Sequence, residues 1–562
     1  MSLGLTEDDE NPSPSVRGQA CPERSRRSEG GYFTMTPMKQ LSGFLITFLV
    51  ISLSGCSSGV DSEYFSNYGL EKGDVISIEI TGPFKKTQWT DDQQYNTAAL
   101  DTGASMQLSL VGYDVANNSI NALPGTWVSS DQGVAAVDST GKITAISAGD
   151  TEVTVKLLST VTGEVVSDTI VITVLPSPVL MKPWTESSVH LRQAMWDHAS
   201  AVWNGYLYVA GGNSDCTADY ENCGFTDMVY YAPINQDGSI APFSQTTVLP
   251  RFLRGHTLLA YNGYMYVIGG IIQPYYTEPP YPDPNSFNTK LNEKVFYAKI
   301  NPDGSLGSWA ETTPLPPSDK IPEEKRTPES GGLFGLSATA HTVSVSGADK
   351  GYMYVTGGWS GDLKKNVETV LVGPINESDG TISSWLHNAL SDLPYDLSKH
   401  TSVAATVNGD NYLYVVGGNS GGFGSQVFHN EILYAKIAND GILSPWKYSS
   451  KVLPVQLIDH ATASLGRYIF VFGGRDGDGG SDEKTPYNIY KNVIYYYIDD
   501  TGDLQSLQRL ADLPAPLFHH AAAADINKLD NSINLYVTGG AGGNTDDQTN
   551  RKDTVYYITN TP

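Results

Sequence analysis

A pair of adjacent glycines recurs six times in the C-terminal two thirds of the chain, at Gly211-Gly212, Gly269-Gly270, Gly357-Gly358, Gly417-Gly418, Gly473-Gly474 and Gly539-Gly540. Each pair closes a short apolar run, for example Tyr206-Leu-Tyr-Val-Ala or Tyr468-Ile-Phe-Val-Phe. Self-similarity at a long period restricts the fold more than composition does. One supersecondary unit is being reused, and it must stack on copies of itself to bury its apolar face.

The unit extends beyond the glycines. A histidine precedes every pair: His198, His256, His341, His400, His460 and His520. Thirteen residues separate three of them from their glycines, and the longer gaps carry turn formers between two apolar runs, where hairpin loops absorb insertions. Downstream lies a third apolar run (Met228-Val-Tyr-Tyr, Val295-Phe-Tyr, Val370-Leu-Val, Ile432-Leu-Tyr, Val493-Ile-Tyr, Thr554-Val-Tyr). It is followed by Asp237-Gly, Asp303-Gly, Asp379-Gly, Asp440-Gly or Thr501-Gly, where glycine reaches positive φ without a Cβ penalty. An apolar anchor comes next, at Phe243, Trp309, Trp385, Trp446 or Leu507.

Four strands per unit, repeating about every 56 to 90 residues, describe a propeller blade. These residues resemble the kelch repeat, in which a diglycine ends the second strand, aromatics mark the third and a Trp the fourth. The fold class expected is all-β, with a six-bladed kelch-type β-propeller over residues 183–562 behind an Ig-like β-sandwich. The sixth unit has no fourth strand before Pro562, whereas the segment around Trp184 is a spare strand ahead of the first unit. That segment is predicted to complete the last blade and so remove two exposed strand edges.

With 35 basic against 61 acidic residues the net charge is −26, which disfavours nucleic acid as a partner. The address is read from Lys39, the apolar run Phe44-Leu-Ile-Thr-Phe-Leu-Val-Ile and Leu53-Ser-Gly-Cys56. This resembles a bacterial lipoprotein signal with its lipobox. The resemblance implies a signal peptide at 35–55, lipidation of Cys56, a tether at 56–73 and a membrane attachment through acyl chains. Residues 1–34 fit no signal region, and translation is expected to start at Met35 or Met38. By resemblance to enterobacterial lipoproteins, in which an Asp after the lipidated Cys retains the protein at the inner membrane, Ser57 implies display at the outer membrane or cell surface. In that oxidising compartment Cys216 and Cys223 are expected to form a disulfide.

Residues 74–175 alternate in short apolar runs with turn signals, the pattern of a β-sandwich, and 176–182 form a linker. Trp127-Val-Ser-Ser, Val137-Asp-Ser-Thr-Gly and Lys142-Ile-Thr-Ala-Ile resemble the bacterial Ig-like domain of group 2. Such domains act as spacers or adhesive modules, and Trp127 is expected in the core.

Strand parity then separates the two faces of a propeller. Connections after strands two and four open on one face, and here they are long and varied, which is where binding sites arise on a rigid scaffold. Candidate ligand contacts on that face are Tyr275, Tyr276 and Tyr281 in a Pro-rich loop, Trp359 after a diglycine, and Arg254 and Arg475 as carboxylate holders, with Arg551 a further cation. The six His would be too far apart around a ring to share a metal, so each is expected to fix its own blade, with His519 an irregular extra. Asp476, Asp478 and Asp482 alternate in a way that suits calcium. The loop departs from an EF-hand at Gly480, so a solvated acidic loop is the first reading and calcium its alternative; no cofactor is otherwise expected, and no phosphate loop or nucleophile elbow appears. The reading is a non-enzymatic, monomeric, lipid-anchored envelope protein whose propeller binds a glycan or a protein. The alternative is a propeller enzyme on sugars, such as a sialic-acid mutarotase-like epimerase, which rests on fold analogy.

Overall fold

The computed structural model describes residues 75–82, 85–88, 94–114, 116–121, 125–147, 149–159, 163–175, 183–214, 224–272, 290–327, 330–345, 348–422, 426–477, 487–505, 507–526, 532–542 and 550–560. Among them every regular element is a strand apart from two single-turn 3-10 segments, so the described part of the protein is all-β.

The N-terminal part is a sandwich. One sheet runs in the order Lys85–Gln88, Gln94–Asp101, Val165–Leu175, Gly149–Leu158, Thr126–Ser129, with Gln94–Asp101 and Val165–Leu175 parallel. The facing strands are Ser77–Thr81, Ser109–Tyr113 and Ser119–Asn121 in one sheet and Ser105–Gln107, Lys142–Ala145 and Ala135–Val137 in another. The run Met106-Gln-Leu-Ser-Leu therefore changes sheets at Leu108 instead of forming one strand. Val153, Val155, Ile170 and Ile172 are fully buried against Ile80 and Ile143, while Glu152 and Lys156, which flank Val153 and Val155, face solvent. Burying each such side chain stabilises by about 1.5–3 kcal/mol. Trp127 packs against this core, as expected.

Residues 183–560 fold into six four-stranded antiparallel sheets. The first is Ala199–Trp203, Tyr206–Ala210, Val229–Pro233, Ser244–Gln245. The next four begin at Thr257–Tyr261, Ser337–Val345, Thr401–Val407 and Ala461–Leu465. The sixth is Ala521–Ile526, Ile533–Thr538, Val555–Asn560 and, from the other end of the chain, Thr185–Glu186. Thr185 pairs with Tyr557 and Glu186 with Tyr556. The first strand of each sheet touches that of the next, and the first strand of the sixth touches that of the first.

Two hydrogen bonds recur between neighbouring sheets and explain the sequence pattern. The second-strand tyrosine donates its hydroxyl to the glycine carbonyl of the next sheet's Asp-Gly turn: Tyr208 to Gly304, Tyr266 to Gly380, Tyr354 to Gly441 and Tyr536 to Gly238. Tyr414 does the same with Gly502 of the Thr-Gly turn. The fifth sheet has Phe470 at this position, and the sixth sheet beyond it has no such turn, because its outer strand comes from the N-terminal segment. Loss of the hydroxyl and loss of its acceptor coincide. The fourth-strand tryptophan donates Nε1–H to a carbonyl of the preceding sheet, Trp309 to Thr247, Trp385 to Thr313 and Trp446 to Ser391. Trp184 donates likewise to Ala511, so it holds in the sixth sheet the place the other tryptophans hold in theirs. We expect Tyr536→Phe to cost about 1 kcal/mol in urea unfolding, the net worth of one such bond. Phe470→Tyr should gain nothing, and a stabilised Phe470→Tyr would contradict this account.

One sequence assignment is corrected. His198, His256, His400, His460 and His520 each stand directly before a first strand, and each ring lies against the first glycine of the preceding sheet's pair. His341 does not. In the third sheet Leu336 takes that place against Gly269, and His341 lies inside strand Ser337–Val345. The insertion in the long third hairpin stretches the spacing and brings a different histidine into apparent register.

Candidate functional site

Connections before first strands pair with connections after second strands: Met195–Trp196 with Asn213–Ser214, Leu253–Arg254 with Ile271–Ile272, and Leu333–Phe334 with Trp359–Ser360. Both kinds of connection thus share one face, as strand parity requires.

On that face, the residue just before each repeated His, or before Leu336, is Asp197, Gly255, Gly335, Lys399, Asp459 or His519. All six adopt the left-handed conformation, with φ between 52° and 63°. Four link through the backbone from one sheet to the next: Asp197 N–H donates to the His519 carbonyl (3.1 Å), Gly255 to Asp197 (2.8 Å), Lys399 to Gly335 (2.8 Å) and His519 to Asp459 (3.0 Å). A left-handed non-glycine residue costs about 1–2 kcal/mol, which glycine avoids. Four of the six positions nevertheless carry side chains, Asp in two sheets, Lys in one and His in one, whereas the neighbouring His is nearly invariant across the sheets.

These side chains meet. His519 Nδ1 lies 2.6 Å from Asp197 Oδ1 and 3.3 Å from Asp459 Oδ1. Arg475 Nε donates to Asp459 Oδ2 at 2.8 Å, Lys399 Nζ stands 3.8 Å from the same oxygen, and Arg254 Nη1 stands 3.7 Å from Asp197 Oδ2. Burial alone would raise both carboxyls, but His519 and the cations outweigh it. The Asp197 carboxyl is held down to about 2, and that of Asp459 lies well below the usual carboxylate range. Arg254 stands against Asp197, and Lys399 and Arg475 against Asp459, on a chain of net charge −26. Lys399 and Arg254 keep 19% and 26% of their side chains exposed, so these two cations are partly accessible.

The candidates named from the sequence divide. Arg254 belongs to the cluster and also lies over Phe225 at 5.0 Å. Arg475 is buried, with its guanidinium over Phe518 at 4.7 Å and Tyr487 at 5.1 Å, so it supports Asp459 from behind instead of presenting a free fork to a ligand. Arg551 lies over Trp196 at 5.5 Å and donates to the Ser214 carbonyl. Trp359 is half-buried in the small pairing with Phe334 and Asn366. Asp476 accepts from the Asn488 backbone (2.7 Å), the Asn488 amide (2.8 Å) and Tyr490 (2.9 Å). Its carboxylate thus closes a loop, and no cluster of His, Cys, Asp and Glu among the described residues is built for a metal. Cys56, Cys216, Cys223, Tyr275, Tyr276, Tyr281, Asp478 and Asp482 lie outside the described residues.

Asp197, Lys399 and Asp459 escape a reading of the sequence, and His519 stands out there only as a histidine beyond the repeat. The available signal is positional. These are the residues directly before the repeated His, where the repeat stops repeating.

Residues 93–170 match the family model described as bacterial Ig-like domain (group 2). No curated protein matches the chain. Among solved structures the chain is similar to "Structure of YjhT", with 14% identity and a TM-score of 0.41 over 66% of this chain and 99% of that one. The chain therefore carries a bacterial Ig-like domain of group 2, and its sandwich begins upstream of the matched residues, at Ser77–Thr81.

Proposed function

We propose that the six sheets are the blades of a closed kelch-type propeller, held at the cell envelope by a lipid on Cys56 with the Ig-like domain as spacer. On this reading the protein is a non-catalytic binder of acidic glycans. The observation that carries the reading is the lead-in cluster. Six equivalent positions hold four kinds of residue, the non-glycine ones at a conformational cost, and Arg254 and Lys399 stay partly open there. Partly exposed Arg254 and Lys399 in these surroundings favour a carboxylate through charge-assisted hydrogen bonds. Closure is supported by the pairing of Thr185–Glu186 with Val555–Asn560 and by the Tyr536 bond to Gly238 between sixth and first sheets.

A glycan array probed with the full chain should return acidic glycans, and Lys399→Ala together with Arg254→Ala should lower that signal at least tenfold. A signal that is confined to neutral glycans, or that survives both substitutions, would refute the reading. A second reading is favoured by one contact. His519 held between Asp197 and Asp459 has the arrangement of a proton-transfer group, so an epimerase acting on free sugars is the enzymatic alternative. Anomeric exchange of free acidic sugars, followed by NMR and abolished by His519→Gln, would favour it.

A further inference from the structure

The hairpin face, whose turns are mostly short, carries a cleft of about 500 Å³ between the second, third and fourth sheets. Tyr261 ends the first strand of the second sheet, His341, Thr342 and Ser344 belong to that of the third, and Thr406 and Asn411 flank the hairpin turn of the fourth. The volume falls in the range of small-molecule sites. Its lining is built from hydroxyls, one amide and one imidazole.

The repeat breaks here as well. The position opposite the first tyrosine of each second strand is Trp203, Tyr261, His341, Ala405 or Leu465, and Asp525 faces Asn534 in the sixth sheet. Histidine occurs in only one sheet, the one with the longest first hairpin. His341 Nε2 lies 2.9 Å from Asn411 Oδ1 and 3.1 Å from Thr406 Oγ1, and Thr406 itself donates to Asn411 Oδ1 at 2.7 Å. An amide oxygen only accepts, so Nε2 carries the proton. Burial lowers the pKa of the ring below that of a free histidine, which keeps it neutral. Nδ1 is then a fixed acceptor that makes no hydrogen bond to the described residues. The hydroxyls of Tyr261 and Thr342 lie 2.8 Å apart, and Glu377 and Asp349 sit behind Tyr261 and Ser344 at 3.2 and 2.5 Å. Fixed donors and acceptors backed by carboxylates suit a polyhydroxylated ligand without negative charge.

We infer that the cleft around His341 is a second binding site, specific for a neutral sugar ring and independent of the cation-bearing face. Titration calorimetry on the full chain with glucose, galactose, mannose and N-acetylglucosamine, their methyl glycosides and the anionic galacturonate tests it. At least one neutral sugar should bind, with galacturonate at least tenfold weaker. Methyl glycosides that bind as well as the free sugars identify chain-terminal residues as the source, and exclusion of the glycosides identifies free monosaccharides. His341→Leu, which places in the third sheet the residue the fifth already has at Leu465, should weaken binding at least tenfold. Ser344→Trp at the exposed rim should do the same, while Lys399→Ala leaves it unchanged. Absence of binding by every neutral sugar, preference for galacturonate, indifference to both cleft substitutions, or loss in Lys399→Ala would each overturn the inference.

Discussion

Acidification from about pH 7.5 to about pH 4.5 should unfold the six-sheet part cooperatively, with the steepest loss of stability between about pH 6.5 and 4. Five repeated histidines cause it. His198, His256, His400, His460 and His520 are all at most 6% exposed. Burial pushes the rings of His198, His256 and His460 down to about 4 and those of His400 and His520 to about 3. Nε2 of His198, His400 and His460 meets the hydroxyl of Thr538, Thr356 and Thr401, but Nδ1 of all five has no partner among the described residues. A protonated ring would bury a second donor unsatisfied. Above about pH 6.5 the histidines are neutral in both folded and unfolded chains and add no pH dependence. Below it the unfolded chain takes up protons that the folded one refuses, so stability falls as pH falls, down to the folded-state values. Asp197, held down to about 2, adds a loss of the same sign below the ordinary carboxylate value. Five protons at about 1.4 kcal/mol each give a limiting slope of about 7 kcal/mol per pH unit, against a typical total stability of about 5–15 kcal/mol. Calorimetric Tm values across this range provide the check, together with His256→Leu, which copies the residue the third sheet carries at this place, Leu336. The variant should fold and lose about one fifth of the slope. A Tm that stays level from about pH 7.5 to 4.5 would show that these rings are not held neutral.

Trp184→Ala should be the most damaging single substitution at the seam. Trp184 is 7% exposed, packs edge-on against Phe472 with ring centres 6.2 Å apart, and donates to the Ala511 carbonyl at 2.8 Å. Removal of a buried tryptophan costs about 3–5 kcal/mol, and the orphaned carbonyl adds to it. The strand it anchors is joined to the sixth sheet by two residue pairs, followed by backbone bonds from Ser187 and Leu191 to the Val555 and Asp553 carbonyls. Its release would bare the edge of Val555–Asn560 and invite association between chains. The urea midpoint should fall sharply, protease should cut near residues 183–194, and light scattering should rise on warming. Retention of the wild-type midpoint would mean that the segment contributes nothing to the sixth sheet.

Much of the architecture is legible in the chain because each sheet repeats the same contacts. Most diglycines lie under histidines, Gly304, Gly380, Gly441 and Gly502 lie under tyrosine rings, and the spare Trp184 is visible once the strands are counted. What the sequence conceals depends on departures from the repeat. Leu336 shares size but not polarity with the histidines it replaces, so His341 passes for the missing copy. Asp197, Lys399, Asp459 and His519 share a backbone conformation, but only Asp197 and Asp459 share a side chain, and that diversity hides them from any search for similarity. The cleft at His341 arises from hairpins of unequal length, a property of three neighbouring sheets together.

The seam also has a mechanical meaning. A pull on the chain upstream of residue 183 is delivered first to the Thr185–Tyr557 and Glu186–Tyr556 pairs and to the indole seated beside them, before any other sheet bears load. A protein tethered through its N-terminal side would therefore yield at one short strand, and the five sheets formed from continuous chain would keep their shape while that latch opened and re-engaged.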